Sequence, residues 1–309
     1  MRVPRLLLNS GYSIPQIGLG TLLTESHPQP QIIYHAVSDA IDVGYRHIDT
    51  AQLYENEKEI GLAIEKAILY GKVEREDIFL TTKIWNTCHS YQKACDAVDE
   101  RLRDLRVNYL DLCLIHWPMG YYEGAGLRPI DNEGRSLFSD VDYMETWLAL
   151  EDAVYSGKIR SIGLSNFNTQ QIKRVEAHPY FQQNDLLHWC SERNIVFMAF
   201  SNLASNNHKY RKPEQPDLLK EWDLIQIGKN YNKTAAQVAL RWGIQKGMVI
   251  IPKSVRRARI AENFDIFDFQ LRREEMSRID RLDRNMRLLW LHRDKDHPDW
   301  PFRAELNSE

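Results

Sequence analysis

Short apolar runs recur along this chain, and six of them close on a polar or reactive residue: HIDT at Asp49, IFLTTK at Lys83, YLDLCLIH at His116, RSIGLSN at Ser165 and Asn166, IVFMAFS at Ser201, and VIIPK at Lys253. Strands of a parallel barrel are apolar along their length because helices and core cover both faces, and they present functional groups at their C-terminal mouths. A half-exposed surface sheet would alternate apolar and polar positions instead. The pattern predicts strands at 45–50, 78–83, 110–116, 159–166 and 195–201, with helices at 56–70, 91–105 and 144–156 between them. Regular alternation of strand and helix predicts an α/β fold, a (β/α)8 barrel of the TIM type. Residues 6–20, LLLNSGYSIPQIGLG, form two apolar runs around Asn9, Ser10 and Gly11, the signature of a hairpin that plugs one end of the barrel.

The regularity fails once. Only 27 residues separate Phe167 from Ile195, where a complete barrel needs two helical crossovers of about a dozen residues each and a strand of about five. One barrel strand is therefore expected to be missing or shortened near 175–180. A closed barrel satisfies every strand edge, so such a loss bares backbone donors and acceptors at a cost comparable with a whole folding stability of ~5–15 kcal/mol.

Composition narrows the partners. Across 309 residues no Ser/Gly/Pro-rich linker divides the chain, so residues 1–309 are expected to form a single domain. A net charge of −3 and a pI near 6.4 give no basis for nucleic acid or an anionic membrane as partner, and point to a small molecule. The start, MRVPRLLLNSGYS, is too short in apolar residues for a signal-peptide core or a membrane span, so a cytoplasmic location is expected. Cys88, Cys95, Cys113 and Cys190 show no CxxC spacing and read as reduced thiols. The ten histidines form no HxH or HExxH cluster, and no metal is expected.

Tyr54 lies five residues beyond Asp49, on the loop after a strand, while Lys83 and His116 close the next two strands. A phenol with pKa ~10 is a poor acid at neutral pH; an ammonium beside it stabilises the phenolate, and a carboxylate on that ammonium holds it in place. A lone strand-end Asp or Lys is commonly no more than a solvated or ion-paired group, so the joint placement of the four carries the reading. The long loop at 118–142, on the C-terminal side of a strand, is expected to govern substrate access.

GYRHIDTAQLYENEKEIG, LTTKIW, LDLCLIHWP, IGLSNFN and IPKSVRRARIAEN, in this order, resemble the aldo-keto reductase superfamily, in its aldose reductase-like and aldehyde reductase-like members, from about Leu6 to Phe302. The resemblance implies an NADP(H)-dependent reduction of aldehydes or ketones by a monomeric barrel without metal. It implies Tyr54 as general acid, Lys83 and Asp49 as the groups that tune it, and His116 as the group that orients the carbonyl. For the cofactor it implies Ser165 and Asn166 at the nicotinamide carboxamide and Phe200 stacked under the ring, where the family usually has tyrosine. Ser201, Leu203 and Ser205 fall on the pyrophosphate loop. That loop reads SNLAS, and Ala204 stands where glycine is usual, a strain if the position needs φ > 0. Lys253, Ser254, Val255, Arg259, Glu262 and Asn263 fall on the adenosine and 2′-phosphate segment. Two cations there favour NADP(H) over NAD(H).

The resemblance also implies a substrate pocket lined by Leu22, Trp85, Trp117, Tyr121, Tyr122 and Tyr210, with residues 284–309, notably 288–291, over the mouth. Such a lining suits apolar or aromatic carbonyls. The chain departs from the family after Val175, where IKRV passes directly into EAHPYF. About fourteen residues are absent, close to one crossover, and with them the family's nicotinamide-binding glutamine. Gln171 belongs to the preceding helix and is no substitute. Two readings follow: a carbonyl reductase with a damaged nicotinamide clamp, or a cofactor-binding relative or splice variant with a regulatory role or none.

Overall fold

The computed structural model describes residues 3–23, 31–167, 175–204, 215–288 and 292–302. Strands β1 (Arg5–Leu7) and β2 (Ser13–Pro15) form the antiparallel hairpin. Leu6, Leu8 and Ile14 pack on Phe79, Leu112, Leu114, Met198, Val249 and Ile251, so the hairpin closes the N-terminal end of the barrel with an apolar plug.

Strand and helix then alternate: β3 (Leu19–Gly20), α1 (Ile32–Val43), β4 (His47–Asp49), α2 (Glu57–Leu69), β5 (Phe79–Ile84), α3 (Tyr91–Asp104), β6 (Leu112–Ile115), α4 (Tyr143–Tyr155) and β7 (Ile162–Leu164). The second part runs β8 (Val175–Glu176), α5 (Asn184–Ser191), β9 (Met198–Phe200), α6 (Trp222–Lys229), α7 (Ala235–Gln245), β10 (Val249–Ile250), α8 (Arg257–Phe264) and α9 (Arg273–Asp280). Helix α1 illustrates the local logic. Ile32, Ile33, Ala36, Val37, Ala40 and Ile41 fall on one buried face, and Gly44 at φ 119° ends the helix with bonds to the carbonyls of Ala40 and Ile41.

All barrel strands pair in parallel, β3 to β7 in one sheet and β8, β9 and β10 in another. Bridges Ile17–Ile250 and Gly20–Lys253 join β3 to β10. A Cβ at Gly20 would lie 2.9 Å from the carbonyl oxygen of Ile251, so glycine is what lets the two strands approach. Seven of the eight junctions are therefore paired; between β7 and β8 no pairing exists among the described residues.

This is where the crossover arithmetic located the defect. The strand is present but reduced to two residues, and Ala177 N–H on the Phe200 carbonyl extends its ladder by one bond. Its neighbour registers the gap: β4, β5 and β6 are buried throughout, whereas all three residues of β7 are half-exposed. The chain beyond α9 braces the shortened strand. Arg284 and Met286 donate their N–H groups to the Tyr180 carbonyl, and Leu288 N–H lies 3.2 Å from both oxygens of buried Glu176.

Among the described residues no helix is long and apolar enough to cross a membrane, and no group of three or more His, Cys, Asp or Glu could hold a metal ion.

Candidate functional site

The β4–β5–β6 register brings Asp49, Lys83 and the residue after Ile115 to one mouth, because parallel strands in step end together. Beyond β4 a 3-10 turn, Gln52–Tyr54, carries the phenol back over the strand ends. Lys83 is the hub. Its ammonium, 2 % exposed, contacts Asp49 Oδ1 at 2.8 Å, the Thr50 carbonyl at 2.6 Å and Tyr54 Oη at 3.3 Å. Asp49 is equally buried, so the charge pair is shielded from solvent and its members depend on one another. Thr50 was not foreseen as an ammonium partner, since a main-chain carbonyl carries no signal in the residue type.

The His116 ring lies 5.8 Å from that of Tyr54 and 5.1 Å from that of Trp85, edge to face in both cases. Asn166 fixes the strand end from the other side: its Nδ2 donates to the His116 carbonyl at 2.8 Å and to Ser165 Oγ at 2.9 Å. Asn166 adopts φ 63°, a left-handed conformation that asparagine tolerates better than most residues. Ser165 and Asn166 are thus adjacent to the tetrad, and both are buried.

Phe200 is half-buried at the end of β9, and Ser201 follows it at φ 55°. Ala204 is at φ 52°, so the position where glycine was expected does require the left-handed region, and alanine holds it at a cost of about 1–2 kcal/mol. Leu203 packs against the core, while Ser205 and Tyr210 lie outside the described residues. Lys253 is exposed at the bridge to Gly20; Ser254 is buried and caps the Arg256 N–H at 3.1 Å. Val255, just before α8, and Glu262 and Asn263 within it are partly or wholly covered, and Glu262 accepts from Thr234 Oγ1 at 2.6 Å. Arg257 pairs with Asp39, whereas Arg259 is exposed and forms no ion pair among the described residues.

Of the expected pocket residues, Leu22 and Tyr122 are exposed. Trp85, Trp117 and Tyr121 are only 2 %, 3 % and 1 % exposed, because Trp300 and Phe302 pack against them in one aromatic cluster. Trp117 and Phe302 meet edge to face at 6.1 Å. Tyr121 is an internal strut: its hydroxyl donates to Asp294 Oδ2 at 2.8 Å, and Ser136 holds the other oxygen at 2.6 Å. Asp294, Trp300 and Phe302 fall within 284–309, the segment expected over the mouth, although none of the three stands out individually in the sequence; residues 289–291 lie outside the described residues.

Two buried ionisable groups flank the site. Burial pushes Glu57 up to about 7, against the pull of Arg101, whose Nε lies 2.6 Å away, and of Thr82, which donates to it at 2.5 Å. Burial pushes His89 down to about 3, with His297 adding to the shift.

Residues 16–284 match the aldo/keto reductase family. The chain is 42 % identical to aldo-keto reductase family 1 member D1 of Mus musculus, covering 97 % of each chain. It is 40 % identical to aldo-keto reductase family 1 member A1 of Gallus gallus, covering 96 % of each. The pairing with the mouse protein runs over 317 positions, more than the chain's own 309 residues, as an internal gap requires. The aldose reductase of Schistosoma japonicum superposes with a TM-score of 0.90 at 37 % identity, over 98 % of this chain and 99 % of that one.

Proposed function

This chain belongs to the aldo/keto reductase family, and from that premise we propose that it is an NADPH-dependent carbonyl reductase with Tyr54 as its general acid. The observation that carries the reading is the buried Lys83 ammonium held between Asp49 and Tyr54 Oη. A cation at hydrogen-bond distance stabilises the phenolate that remains after proton transfer, which is what a tyrosine needs to act as an acid near neutral pH. Asp49 and the Thr50 carbonyl keep the ammonium aimed at the phenol. His116, packed between the rings of Tyr54 and Trp85, orients the carbonyl oxygen toward Tyr54.

The donor set fits a phosphorylated dinucleotide at its adenosine end. Arg259 is an exposed cation in α8 with no ion pair among the described residues, five residues beyond Ser254, and Lys253 adds a second charge on the same segment. Both together favour a 2′-phosphate over a bare ribose. Ser165 and Asn166 would hold the nicotinamide carboxamide, and Phe200 would offer its ring face to the nicotinamide. NADPH, when bound, supplies the hydride. Trp85, Trp117 and Phe302 exclude water from the mouth and suit an apolar or aromatic aldehyde or ketone.

Tyr54→Phe tests the assignment. It should abolish aldehyde reduction while leaving NADPH affinity within a few-fold, read by tryptophan fluorescence and NADPH consumption. Retained turnover in that variant would remove Tyr54 as the acid. NADPH binding by the parent without turnover on any aldehyde would favour the cofactor-binding relative that no longer reduces.

A further inference from the structure

The β4–β5 ladder ends where Thr50 N–H meets the Thr81 carbonyl at 2.8 Å. One step further along β5, the chain of β4 has already turned into the 3-10 segment Gln52–Tyr54. Trp85, 2 % exposed, still carries a backbone N–H that needs an acceptor. The acceptor is a side chain: Gln52 Oε1 takes the Trp85 N–H at 3.1 Å, and Gln52 Nε2 reaches Cys88 Sγ at 3.6 Å in the next turn. The amide of Gln52 thus continues the ladder by one rung after the main chain has left it.

That rung connects the two halves of the acid. Gln52 stands two residues before Tyr54, and Trp85 two residues after Lys83. Within the turn, Tyr54 N–H bonds the Ala51 carbonyl at 3.0 Å and Glu55 N–H the Gln52 carbonyl at 3.2 Å; Leu53 packs on the cluster of Trp85 and Trp117, and the Gln52 amide adds a directional bond from the turn to the main chain just beyond β5. Among the ammonium's bonds to Asp49, the Thr50 carbonyl and Tyr54, the one to Tyr54 Oη is the longest at 3.3 Å, against 2.8 Å and 2.6 Å, and it depends on where the turn sits. We infer that Gln52 is a positioning residue that fixes Tyr54 against Lys83 and, through the same bond, fixes Trp85 against His116. The inference rests on the reading of Tyr54 as general acid and adds to it the side chain that holds the acid in place.

Gln52→Met keeps the length and removes both hydrogen bonds; Gln52→Glu keeps an acceptor oxygen for Trp85 N–H. Amide hydrogen exchange at Trp85 should quicken about fivefold in Gln52→Met, from the loss of one bond worth about 1 kcal/mol, and stay within about twofold of the parent in Gln52→Glu. For an aromatic aldehyde, kcat/KM should fall about five- to tenfold in Gln52→Met. The descending high-pH limb of its profile should move to higher pH, because a phenol less well coupled to the ammonium gives up its proton later. A merely structural role would lower thermal stability and leave that limb unmoved. Unchanged Trp85 exchange, or faster exchange with an unmoved limb, overturns the inference.

Failure of the functional reading would be seen separately, as absence of turnover in the parent. The Tyr54 titration, read as the ultraviolet difference between each protein and its Tyr54→Phe counterpart, then decides for Gln52. A higher midpoint in Gln52→Met upholds the positioning role, and an identical midpoint overturns it.

Discussion

Replacing Asp49 by asparagine keeps the shape of the side chain and an oxygen for Lys83, and removes only the charge that balances a buried ammonium. At 2.8 Å and an effective dielectric of about 20, the lost attraction is about 6 kcal/mol. The variant does not have to bear all of it, because the ammonium can shed its proton. Keeping lysine neutral costs 1.36 kcal/mol for each pH unit below its ordinary value near 10.4, about 5 kcal/mol at pH 7 and about 2 kcal/mol at pH 9. The deficit at pH 7 is therefore expected at about 3–5 kcal/mol, in the range found when one partner of a buried pair is removed. In the variant the folded state binds fewer protons than the unfolded state, so its stability rises with pH and the deficit shrinks toward about 2 kcal/mol at pH 9. Urea unfolding of both proteins at the two pH values measures this. A deficit below about 1 kcal/mol at pH 7, or one that stays constant with pH, would refute the picture of a buried, mutually dependent pair.

His89 is fully buried and pushed down to about 3, so on acidification the unfolded chain takes up a proton that the folded one refuses, and stability is lost as pH falls below about 6.5. His89→Gln should remove about 2–3 kcal/mol of that loss between pH 7 and pH 4.5, read from denaturant midpoints; an unchanged slope would place the acid sensitivity elsewhere. Ala204, held at φ 52°, should be relieved by Ala204→Gly, with a net gain of about 0.5 kcal/mol after the backbone entropy of glycine is set against the left-handed strain. Thermal unfolding checks this, and a clear loss of stability would mean that the alanine methyl packs better than its backbone suffers.

The strand ends were legible because a parallel strand covered on both faces is nearly uniformly apolar, so the polar residue that closes HIDT or IFLTTK stands out. The defect after β7 was legible for a different reason: chain length is a hard limit, and 27 residues cannot supply two ordinary crossovers and a strand. What arithmetic could not decide was whether the strand vanished or shrank. Val175–Glu176 survives because it pairs with β9 and because Glu176 anchors Leu288, a contact 112 residues away that leaves no local pattern. The same limit hid Trp300 and Phe302, whose partners Trp85 and Trp117 lie far back in the chain. Gln52 escaped notice because a glutamine in a short turn reads as solvated until the N–H it serves is identified. Tyr121 is implied as a pocket residue by the resemblance; the bond of its hydroxyl to Asp294 spans 173 residues and leaves no local pattern.

Hydride delivery to a carbonyl is the central claim, and isotope transfer tests it most directly. With NADPH carrying deuterium on the transferred position of nicotinamide C4 and an aromatic aldehyde as substrate, the alcohol formed should carry one deuterium on its carbinol carbon, and the Tyr54→Phe variant should yield none. Unlabelled alcohol, or no alcohol from protein that binds NADPH, would contradict the account.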